Sequence, residues 1–585
     1  MYSSLKFFRN WLALPGVMLV SALALGAATG PTVPNFSLVD QDDANHELHR
    51  TPGRAVVLFF TGTGCPIVRQ NAAKFRELKN RFESAGVTFW LVNAYAGDTT
   101  QEIRKERQDL GLWSMTYLID AKQSLSLALG VERTAEVVAI DTKDWKIFYR
   151  GAIDDQLAEG AEKPAAKERY LDDALTGFLA GKEIKTAKTI ARGCRITYAK
   201  VAGEGAAPDY AKQIAPLLQK HCVECHRSGG IGPWSMSSHR KVANYAEMIE
   251  EVLLTRRMPP WDPHPGYGKF VDPHWLSLEE TQTLLRWVSA GAPRGDGPDL
   301  LETALPALPD WRLGKPDVVL KLAEIQKIPA TGVLDYRHIQ IANPFTNDVW
   351  LSALDIKPGN RKVVHHVILY AKWPGAPDDG NEKGVFFVGW APGASALRYP
   401  DGVAKLLPAN AKLTVELHYT TSGAEQTDDS EIALYIADGP QKRSSTTRQA
   451  IELNLNIPPG EPEARHVATY SFPKPATIYG LFPHMHFRGK WMRYELLLPD
   501  GKRETLLHVP RYDFKWQLSY YLERPRHVPA GTWLMVSGAF DNSARNPANP
   551  DPGKKVVFGE QSWDEMFIGF FEAADDPETP KTASR

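Results

Sequence analysis

The stretch VLFFTGTGCPIVRQ, residues 57–70, joins an apolar run to a helix pattern through a glycine-rich turn that ends at Cys65. The apolar run predicts a buried strand, and proline directly after Cys65 is typical of the first turn of a helix. Strand and helix patterns alternate around this stretch: AVVLFF, CPIVRQNAAKFRELKNRFESAG, VTFWLVNA, TTQEIRKERQDLGL, AEVVAID and WKIFYRGAI. The last two predict a closing hairpin, so residues 31–190 are expected to form an α/β domain.

The residues around Cys65 resemble redoxin sequences, which implies a thioredoxin-like fold for this domain. Two positions depart from the thioredoxin pattern: Val68 replaces the second cysteine of a CxxC pair, and Ala135 stands where a cis-proline is usual. Peroxiredoxins carry a threonine three residues before the cysteine, and this chain has Gly62 there. Exchange through a local CxxC pair is therefore excluded.

Cys65 is still a candidate redox thiol, because a helix N-terminus lowers the pKa of a thiol. Its candidate partner is Cys194, in ARGCRI. The alternative is a scaffold that only docks the next domain. With only 4 cysteines in 585 residues, the chain has no disulfide framework. A chemical role is therefore expected for each cysteine rather than a structural one.

The charge balance and the N-terminus limit the possible partners and the location of the protein. The chain has 68 basic and 69 acidic residues, which argues against a nucleic-acid-binding surface. Residues 1–28 combine Lys6 and Arg9 with an apolar run and small residues, as in a secretory signal peptide. We expect an exported, periplasmic protein without a membrane span after cleavage; an uncleaved N-terminal anchor is the alternative.

Residues 205–300 are mostly helical in pattern and contain the sequence CVECH. Cys222 and Cys225 have the spacing that binds the two vinyl groups of one porphyrin, and His226 follows as an axial ligand. This predicts a small all-α cytochrome c domain with one covalent haem c. Half of a zinc site, or a redox CxxC with a chance histidine, is the alternative. Met258, in RRMPPW, is the expected sixth ligand, with Met236 and Met248 as competitors.

From residue 314 onward the pattern is rich in strands and carries two histidine motifs. Neighbouring His365 and His366 would point to opposite faces of a regular strand, so shared metal binding requires a bulge or a strand end there. His484 and His486 have the spacing that places two side chains on one face. Taken singly, each motif also fits packed core histidines.

The order HH, then ELHYTTSG with His418, then PHMH, then DEM with Met566 resembles the copper type II, ascorbate-dependent monooxygenases. The resemblance implies two all-β, jelly-roll-like sandwich domains, residues 314–445 and 446–578, with one copper on each across a solvent-filled cleft. It assigns electron transfer to a three-histidine copper, and oxygen binding and catalysis to a two-histidine, one-methionine copper. The ligands are His365, His366 and His418 for the first, and His484, His486 and Met566 for the second. The thioether agrees independently, since it favours Cu(I).

Two departures affect stability and substrate. The chain has no cysteine after Cys225, so packing replaces the family's disulfides. Phe482 and Phe570 occupy positions that bind a peptide carboxylate in the peptide-amidating relatives, and Ile568 lies beside them. The expected substrate is a small apolar or aromatic molecule, hydroxylated at a C–H bond with O₂.

The sequence therefore predicts a multidomain copper monooxygenase whose own haem delivers electrons to the three-histidine copper. A dithiol of Cys65 and Cys194 could reduce the haem. An external donor, such as a cytochrome, a quinol-linked protein or a reductant such as ascorbate, is the other source. Two alternative functions are a copper-binding protein without turnover and a periplasmic thiol peroxidase or redox sensor.

Overall fold

The computed structural model describes residues 30–158, 161–199, 207–303, 309–376, 382–439 and 441–577. The expected signal peptide, residues 1–28, lies outside these ranges. Among the described residues, no helix is both long enough and apolar enough to cross a membrane.

The N-terminal region is an α/β unit built on a five-stranded sheet of order β5-β4-β3-β6-β7. Strands β3, β4 and β5 run parallel, and β6 and β7 form the antiparallel hairpin expected from the sequence. The strands are β1 (Ser37–Val39), β2 (Asn45–Glu47), β3 (Ala55–Thr61), β4 (Val87–Asn93), β5 (Thr116–Ile119), β6 (Val137–Asp141), β7 (Ile147–Gly151), β8 (Leu157–Ala158) and β9 (Ala161–Glu162). The helices are α1 (Pro66–Phe82), α2 (Thr100–Asp109), α3 (Ser124–Ala128) and α4 (Tyr170–Leu179), and short 3₁₀ turns cover Leu48–Arg50 and Glu83–Ala85.

Strand β3 is buried on both faces, which explains its unbroken apolar run. Val57 and Phe59 pack on one side with α1, whereas Leu58 and Phe60 face the other side. On that second side the core is continuous with the next, helical domain, which includes the fully buried Trp287. The two domains therefore share one hydrophobic core.

The helical domain consists of a π-helical turn (Tyr210–Ile214) followed by α5 (Ala215–His221), α6 (His239–Ala243), α7 (Ala246–Leu254) and α8 (Leu278–Ser289). Helix α8 begins with a capping box between Ser277 and Glu280 and docks against α3. At this contact, Gln282 donates to the side chain of Gln123 at 3.0 Å.

The connection between these domains, residues 187–199, packs against the α/β unit and pairs with it. We call it the strap. Its residues Lys188 and Arg195 form bridges to Arg150 and Arg133. The expected domain end at residue 190 is therefore too early. The strap has no periodic apolar pattern, so nothing in its residues indicates that it belongs to the domain.

The C-terminal region is strand-rich and contains β10 (Val318–Lys321), β11 (Gln326–Ile328), β12 (Arg337–Ile341), β13 (Val349–Lys357), β14 (Val364–Lys372), β15 (Val385–Trp390), β16 (Leu397–Arg398), β17 (Val403–Leu407), β18 (Lys412–Tyr419), β19 (Gln426–Asp428), β20 (Glu431–Ile436), β21 (Arg443–Ile451), β22 (Asn456–Ile457), β23 (Ala464–Ser471), β24 (Ala476–His484), β25 (Gly489–Leu497), β26 (Arg503–Val509), β27 (Tyr520–Val528), β28 (Trp533–Phe540), β29 (Val556–Val557) and β30 (Ile568–Asp575). One sheet of nine strands extends through the whole region: eight follow the path β10-β20-β13-β17-β21-β30-β24-β27, and β16 pairs with β13 beside this path.

A four-stranded sheet covers each half of this long sheet: β12-β18-β14-β15 over the first half and β23-β28-β25-β26 over the second. Each pair encloses its own core. The halves join where β17 pairs in parallel with β21. They are therefore two sandwiches built on one continuous sheet.

The expected boundary between residues 445 and 446 is wrong, because it falls inside β21. The polar residues that begin this strand are of the kind that usually indicates a loop. Ser445, however, is fully buried and donates to the carboxylate of Glu572 at 2.7 Å. Buried hydrogen bonds, not apolar side chains, hold this part of the strand.

Candidate redox and metal sites

Cys65 and Cys194 form the first candidate site. Cys65 caps the N-terminus of α1, as expected, and its Sγ lies 3.2 Å from the Sγ of Cys194. The hydroxyl of Thr134 lies 3.1 Å from the Cys65 sulfur. All four cysteines of the chain are free thiols here. A small movement would bring the two sulfurs to disulfide distance, about 2.05 Å.

The two thiols differ in acidity. Burial raises the pKa of Cys65, but hydrogen bonds from Thr134, from the Cys194 and Val68 backbone and from the Cys194 thiol outweigh it and leave the pKa lowered. Burial, and then the neighbouring Cys65, raise the pKa of Cys194. Cys65 is therefore the better nucleophile of the pair.

The strap brings Cys194 to this position through backbone hydrogen bonds. The N–H of Thr134 donates to the carbonyl of Cys194 at 2.9 Å, and the N–H of Cys194 donates to the Thr134 hydroxyl at 2.9 Å. Ala135, in place of the expected cis-proline, has a φ of 57°. The strap thus pairs with the loop opposite Cys65 in the way an added strand does.

Cys222, Cys225 and His226 form the second candidate site, after α5. The Nδ1 of His226 lies 3.0 Å from the carbonyl of Trp234, which fixes this nitrogen as the donor and leaves Nε2 with a free lone pair. A Cβ at Gly232 would come within 2.8 Å of the His226 ring, so only glycine lets the chain pass there. Two free thiols beside an oriented imidazole fit covalent haem.

The three candidate sixth ligands differ in exposure. Met248 is 46% exposed on α7, which fits poorly with a buried axial ligand. Met236 is buried, and its N–H donates to the carbonyl of His226 at 2.8 Å. Met258 is half-buried after α7, and its peptide bond with Pro259 is cis. Met258 stays the prediction.

His365, His366 and His418, the three-histidine cluster, form the third candidate site. His366 lies directly opposite His418 on the antiparallel strands β14 and β18. The register shifts between Val364 and His366, so a bulge lies at His365. This confirms that neighbouring histidines need an irregular strand to face one point.

The nitrogen spacing of this cluster fits a metal ion. The Nδ1 of His365 lies 3.3 Å from that of His366 and 3.2 Å from that of His418. Metal–nitrogen bonds of about 2.0 Å at a tetrahedral angle place ligand nitrogens roughly 3.3 Å apart. Burial, and then His366, lower the pKa of His365 to about 3, and burial with His366 and His365 lowers the pKa of His418. Both imidazoles are neutral, as a metal ligand must be.

Glu416 supports this cluster from behind. It lies on β18 two residues before His418, and its carboxylate is 3.8 Å from the Nε2 of His366. His338 and Lys383 contact the same carboxylate at 2.7 and 3.1 Å. Burial would raise the pKa of Glu416, but these neighbours hold it well below its usual value. A charged carboxylate therefore faces the ring edge opposite the three converging nitrogens.

His484, His486 and Met566, which we call the two-histidine cluster, form the fourth candidate site. His484 is the last residue of β24, and His486 lies beyond the strand end rather than on a regular strand as expected. Met485, between the two histidines, packs in the core. His486 is fully buried, and both of its ring nitrogens are without a hydrogen-bond partner. Such an imidazole is costly unless something binds it.

Met566 comes to this cluster through β30. His484 pairs with Ile568, Met566 lies two residues before Ile568, and His484 and Met566 line the same cleft. The neighbouring Glu565 accepts hydrogen bonds from the N–H groups of His486 and Arg488 at 2.8 and 2.6 Å. These bonds connect the turn after His484 to the start of β30.

A cleft of about 1130 Å³ lies between the two sandwiches. His366 lines it on the first sandwich, and His484 and Met566 line it on the second. Three phenylalanine rings also line it. Phe482 and Phe570 are cross-strand partners, and the ring centroid of Phe386, on the first sandwich, lies 5.0 Å from that of Phe570. The expected apolar residues are thus brought together beside the two-histidine cluster.

Sequence reasoning missed several supporting residues. Glu416 could have been found, because residues two apart on a strand share a face and His418 follows at that spacing. Phe514 and Gln517 lie in an irregular segment without periodicity, so no signal marked them. His466 is not one of these residues, because it packs against Phe540 and Phe567.

The comparisons with known proteins concern the N-terminal region. The Redoxin family matches residues 28–166. The thiol-disulfide oxidoreductase ResA of Halalkalibacterium halodurans is 25% identical over 165 residues, which are 26% of this chain and 92% of that protein. Two solved structures are similar to part of this chain. An uncharacterized conserved protein from Geobacillus kaustophilus is 24% identical, with 30% of this chain and 93% of that chain covered and a TM-score of 0.28. A putative thiol:disulfide interchange protein DsbE from Chlorobium tepidum is 20% identical, with 26% and 96% covered and a TM-score of 0.22.

The five-stranded sheet and the helices around it define a thioredoxin-like α/β unit at the N-terminus. Residues 28–166 are a redoxin domain, followed by a helical domain and a β-rich C-terminal region. The redoxin relatives support a redox role for this first domain.

Proposed function

We propose that the chain is an exported copper-dependent monooxygenase that hydroxylates a C–H bond of a small apolar substrate with O₂. The observation that carries this proposal is the cleft, because one wall contains His366 and the facing wall contains His484 and Met566. The resemblance to copper type II monooxygenases over the same residues points to the same chemistry.

Copper bound at the two clusters would supply the one-electron chemistry that dioxygen reduction needs. The overall reaction inserts one oxygen atom into a C–H bond, and two electrons and two protons from a reductant convert the other atom to water. The neutral histidines and the thioether of Met566 suit copper in its reduced state.

The protein's own residues prepare the site for an apolar substrate. Phe386, Phe482 and Phe570 give the cleft a wall that binds apolar or aromatic groups and excludes water. Gln517 Oε1 lies 2.7 Å from the Nδ1 of His484, which makes that nitrogen a donor and leaves the Nε2 lone pair available to a metal.

Cys222, Cys225 and His226 would hold a haem in the helical domain, which is a candidate one-electron donor to the three-histidine cluster. An external cytochrome, a quinol-linked protein or ascorbate is the competing source. The decisive experiment is metal and haem analysis of the purified chain, followed by oxygen uptake across a panel of apolar and aromatic substrates. We expect two coppers and one haem per chain and substrate-dependent oxygen uptake.

Electron delivery is tested separately. Anaerobically reduced haem should reoxidise faster in oxygen when substrate is present, and His418→Ala should abolish this acceleration. Fewer than two coppers per chain contradicts the proposal. Two coppers without oxygen uptake, with any reductant, favours a copper-binding protein instead.

The distance between Cys65 and Cys194 favours a second function: thiol–disulfide exchange. The Cys65 thiolate would attack a substrate disulfide, releasing one substrate thiolate and forming a mixed disulfide. The thiolate of Cys194 would then attack the Cys65 sulfur, releasing the second substrate thiolate and leaving a Cys65–Cys194 disulfide. If oxidation with a small disulfide such as oxidised glutathione does not consume both thiols, this function is wrong. Peroxide consumption that requires Cys65 but not Met566 favours a thiol peroxidase or redox sensor.

A further inference from the structure

We propose that residues 511–517, the bridging segment, position the ligands of both histidine clusters together and connect them to the helical domain. The inference rests on the proposed copper sites and goes beyond them, because it assigns one element to both. Its evidence is a set of contacts that one short segment makes in three directions.

Phe514 is the centre of the segment. Its ring stacks on His365 of the three-histidine cluster, with centroids 4.9 Å apart and planes at 21°. The same ring meets His486 of the two-histidine cluster edge-on at 5.8 Å and 84°. One buried phenyl ring therefore contacts a ligand from each cluster, so the orientations of the two imidazoles are not independent.

Tyr512 and Gln517 hold the two-histidine cluster from the same segment. The Tyr512 hydroxyl accepts from the N–H of Met485 at 3.0 Å and donates to the carbonyl of Met485 at 2.7 Å. Met485 lies between His484 and His486, so this pair of bonds fixes the peptide that joins them. Gln517 orients the His484 ring at 2.7 Å.

Arg511 anchors the segment to the helical domain. Its guanidinium donates to Asp262 at 2.8 Å and to the carbonyl of Arg256 at 3.1 Å. These two residues flank Met258, the expected haem ligand. The Arg511 and Asp262 side chains are only 13% and 6% exposed, so the pair is shielded from solvent and salt.

The bridging segment thus lies between the loop that carries Met258 and both histidine clusters. A segment that only fills space would affect stability when altered. If the segment positions the ligands, a single substitution in it that removes no ligand also changes the metal affinity of both clusters. Outer-shell substitutions at metal sites cost about 10- to 100-fold in metal affinity.

The test is Cu(I) titration of the copper-free, haem-containing full chain against a chromophoric chelator. Each cluster is measured alone in a His418→Ala or a His484→Ala background. We expect Phe514→Leu to weaken both clusters about 10-fold or more and Phe514→Tyr to retain most of the affinity. Trp516→Phe, in the same segment, is the matched control and should change neither.

Asp262→Asn tests the connection to the helical domain. It touches no histidine of either cluster, and we expect it to alter the electron paramagnetic resonance spectrum of Cu(II) at the clusters while the melting temperature shows the fold intact. This variant also serves if Phe514→Leu fails to fold. Unchanged copper affinity and spectra in folded variants overturn the inference. A wild-type chain that binds fewer than two coppers overturns the proposed function instead, so the two failures are distinguishable.

Discussion

Cys65 and Cys194 are 129 positions apart in the sequence, and their sulfur atoms lie 3.2 Å apart. The redoxin domain therefore has a second cysteine although Val68 interrupts the local pair. The partner comes from the strap that leads to the helical domain. Oxidation of this pair would fix the strap covalently to the domain, whereas reduction would leave it held by hydrogen bonds.

The first prediction concerns the reactivity of the two thiols. Hydrogen bonds lower the pKa of Cys65, and burial and Cys65 raise that of Cys194, so alkylation should label Cys65 first as the pH rises. Rates of iodoacetamide labelling, with peptide mapping, measure this order. Thr134→Val removes the hydroxyl beside Cys65 and should shift its labelling to higher pH. Faster labelling of Cys194 in the wild-type chain contradicts the assignment.

The second prediction concerns the carboxylate behind the three-histidine cluster. Glu416→Gln removes the negative charge 3.8 Å from the His366 ring, and we expect about 10- to 100-fold weaker copper binding at this cluster only. Copper titration in a His484→Ala background measures the effect. Glu560→Gln is the control, because Glu560 contacts the same Lys383 at 3.2 Å but is mostly exposed. Equal effects of the two substitutions would mean that general charge, not this contact, matters.

The third prediction concerns pH. The pKa of His365 is lowered to about 3 in the folded chain, against 6.5 in an unfolded one, because of burial first and His366 second. The unfolded state therefore binds more protons between these values, and the stability of the copper-free chain should fall as the pH drops below about 6.5. At 1.36 kcal/mol per pKa unit, His365 accounts for roughly 5 kcal/mol at most.

Urea unfolding of copper-free protein between pH 7 and 4 measures this dependence, and His365→Gln should make it less steep while the other buried histidines, such as His418, maintain part of it. His527→Gln is the control, because its side chain is 61% exposed and belongs to neither cluster. A stability that does not change over this range contradicts a buried, neutral His365.

Local patterns predicted the fold of the redoxin domain and the motif residues, because strand alternation and helix starts are encoded locally. The requirement for a bulge at His365 also followed, since neighbouring residues on a strand point apart. The route of the strap could not be predicted from the sequence. Backbone hydrogen bonds to Thr134 place Cys194, and such bonds leave no side-chain pattern. The role of Phe514 could not be predicted either, because its contacts come from an irregular segment between two strands.

The predicted boundary between the two sandwiches is wrong for a related reason. Strand β21 begins with polar residues, and polar residues usually indicate a loop. Here Ser445 and Thr447 both donate to Glu572 at 2.7 Å, and Lys405 of β17 reaches the same carboxylate at 3.1 Å. A buried polar network replaces apolar packing at the point where the long sheet crosses from one sandwich to the other.

The last prediction tests that network. Lys405 and Glu572 are 3% and 1% exposed, and burial lowers the pKa of Lys405 even though Glu572 opposes this effect. Glu572→Gln leaves the ammonium group without its counter-charge, which should destabilise the C-terminal region by about 3–5 kcal/mol. Lys405→Met combined with Glu572→Gln removes both charges, and we expect it to recover most of the loss. Denaturant unfolding of the two variants measures the difference. A double variant as unstable as Glu572→Gln would show that the hydrogen bonds of Ser445, Thr447 and Tyr399, rather than the paired charges, hold the two sandwiches together.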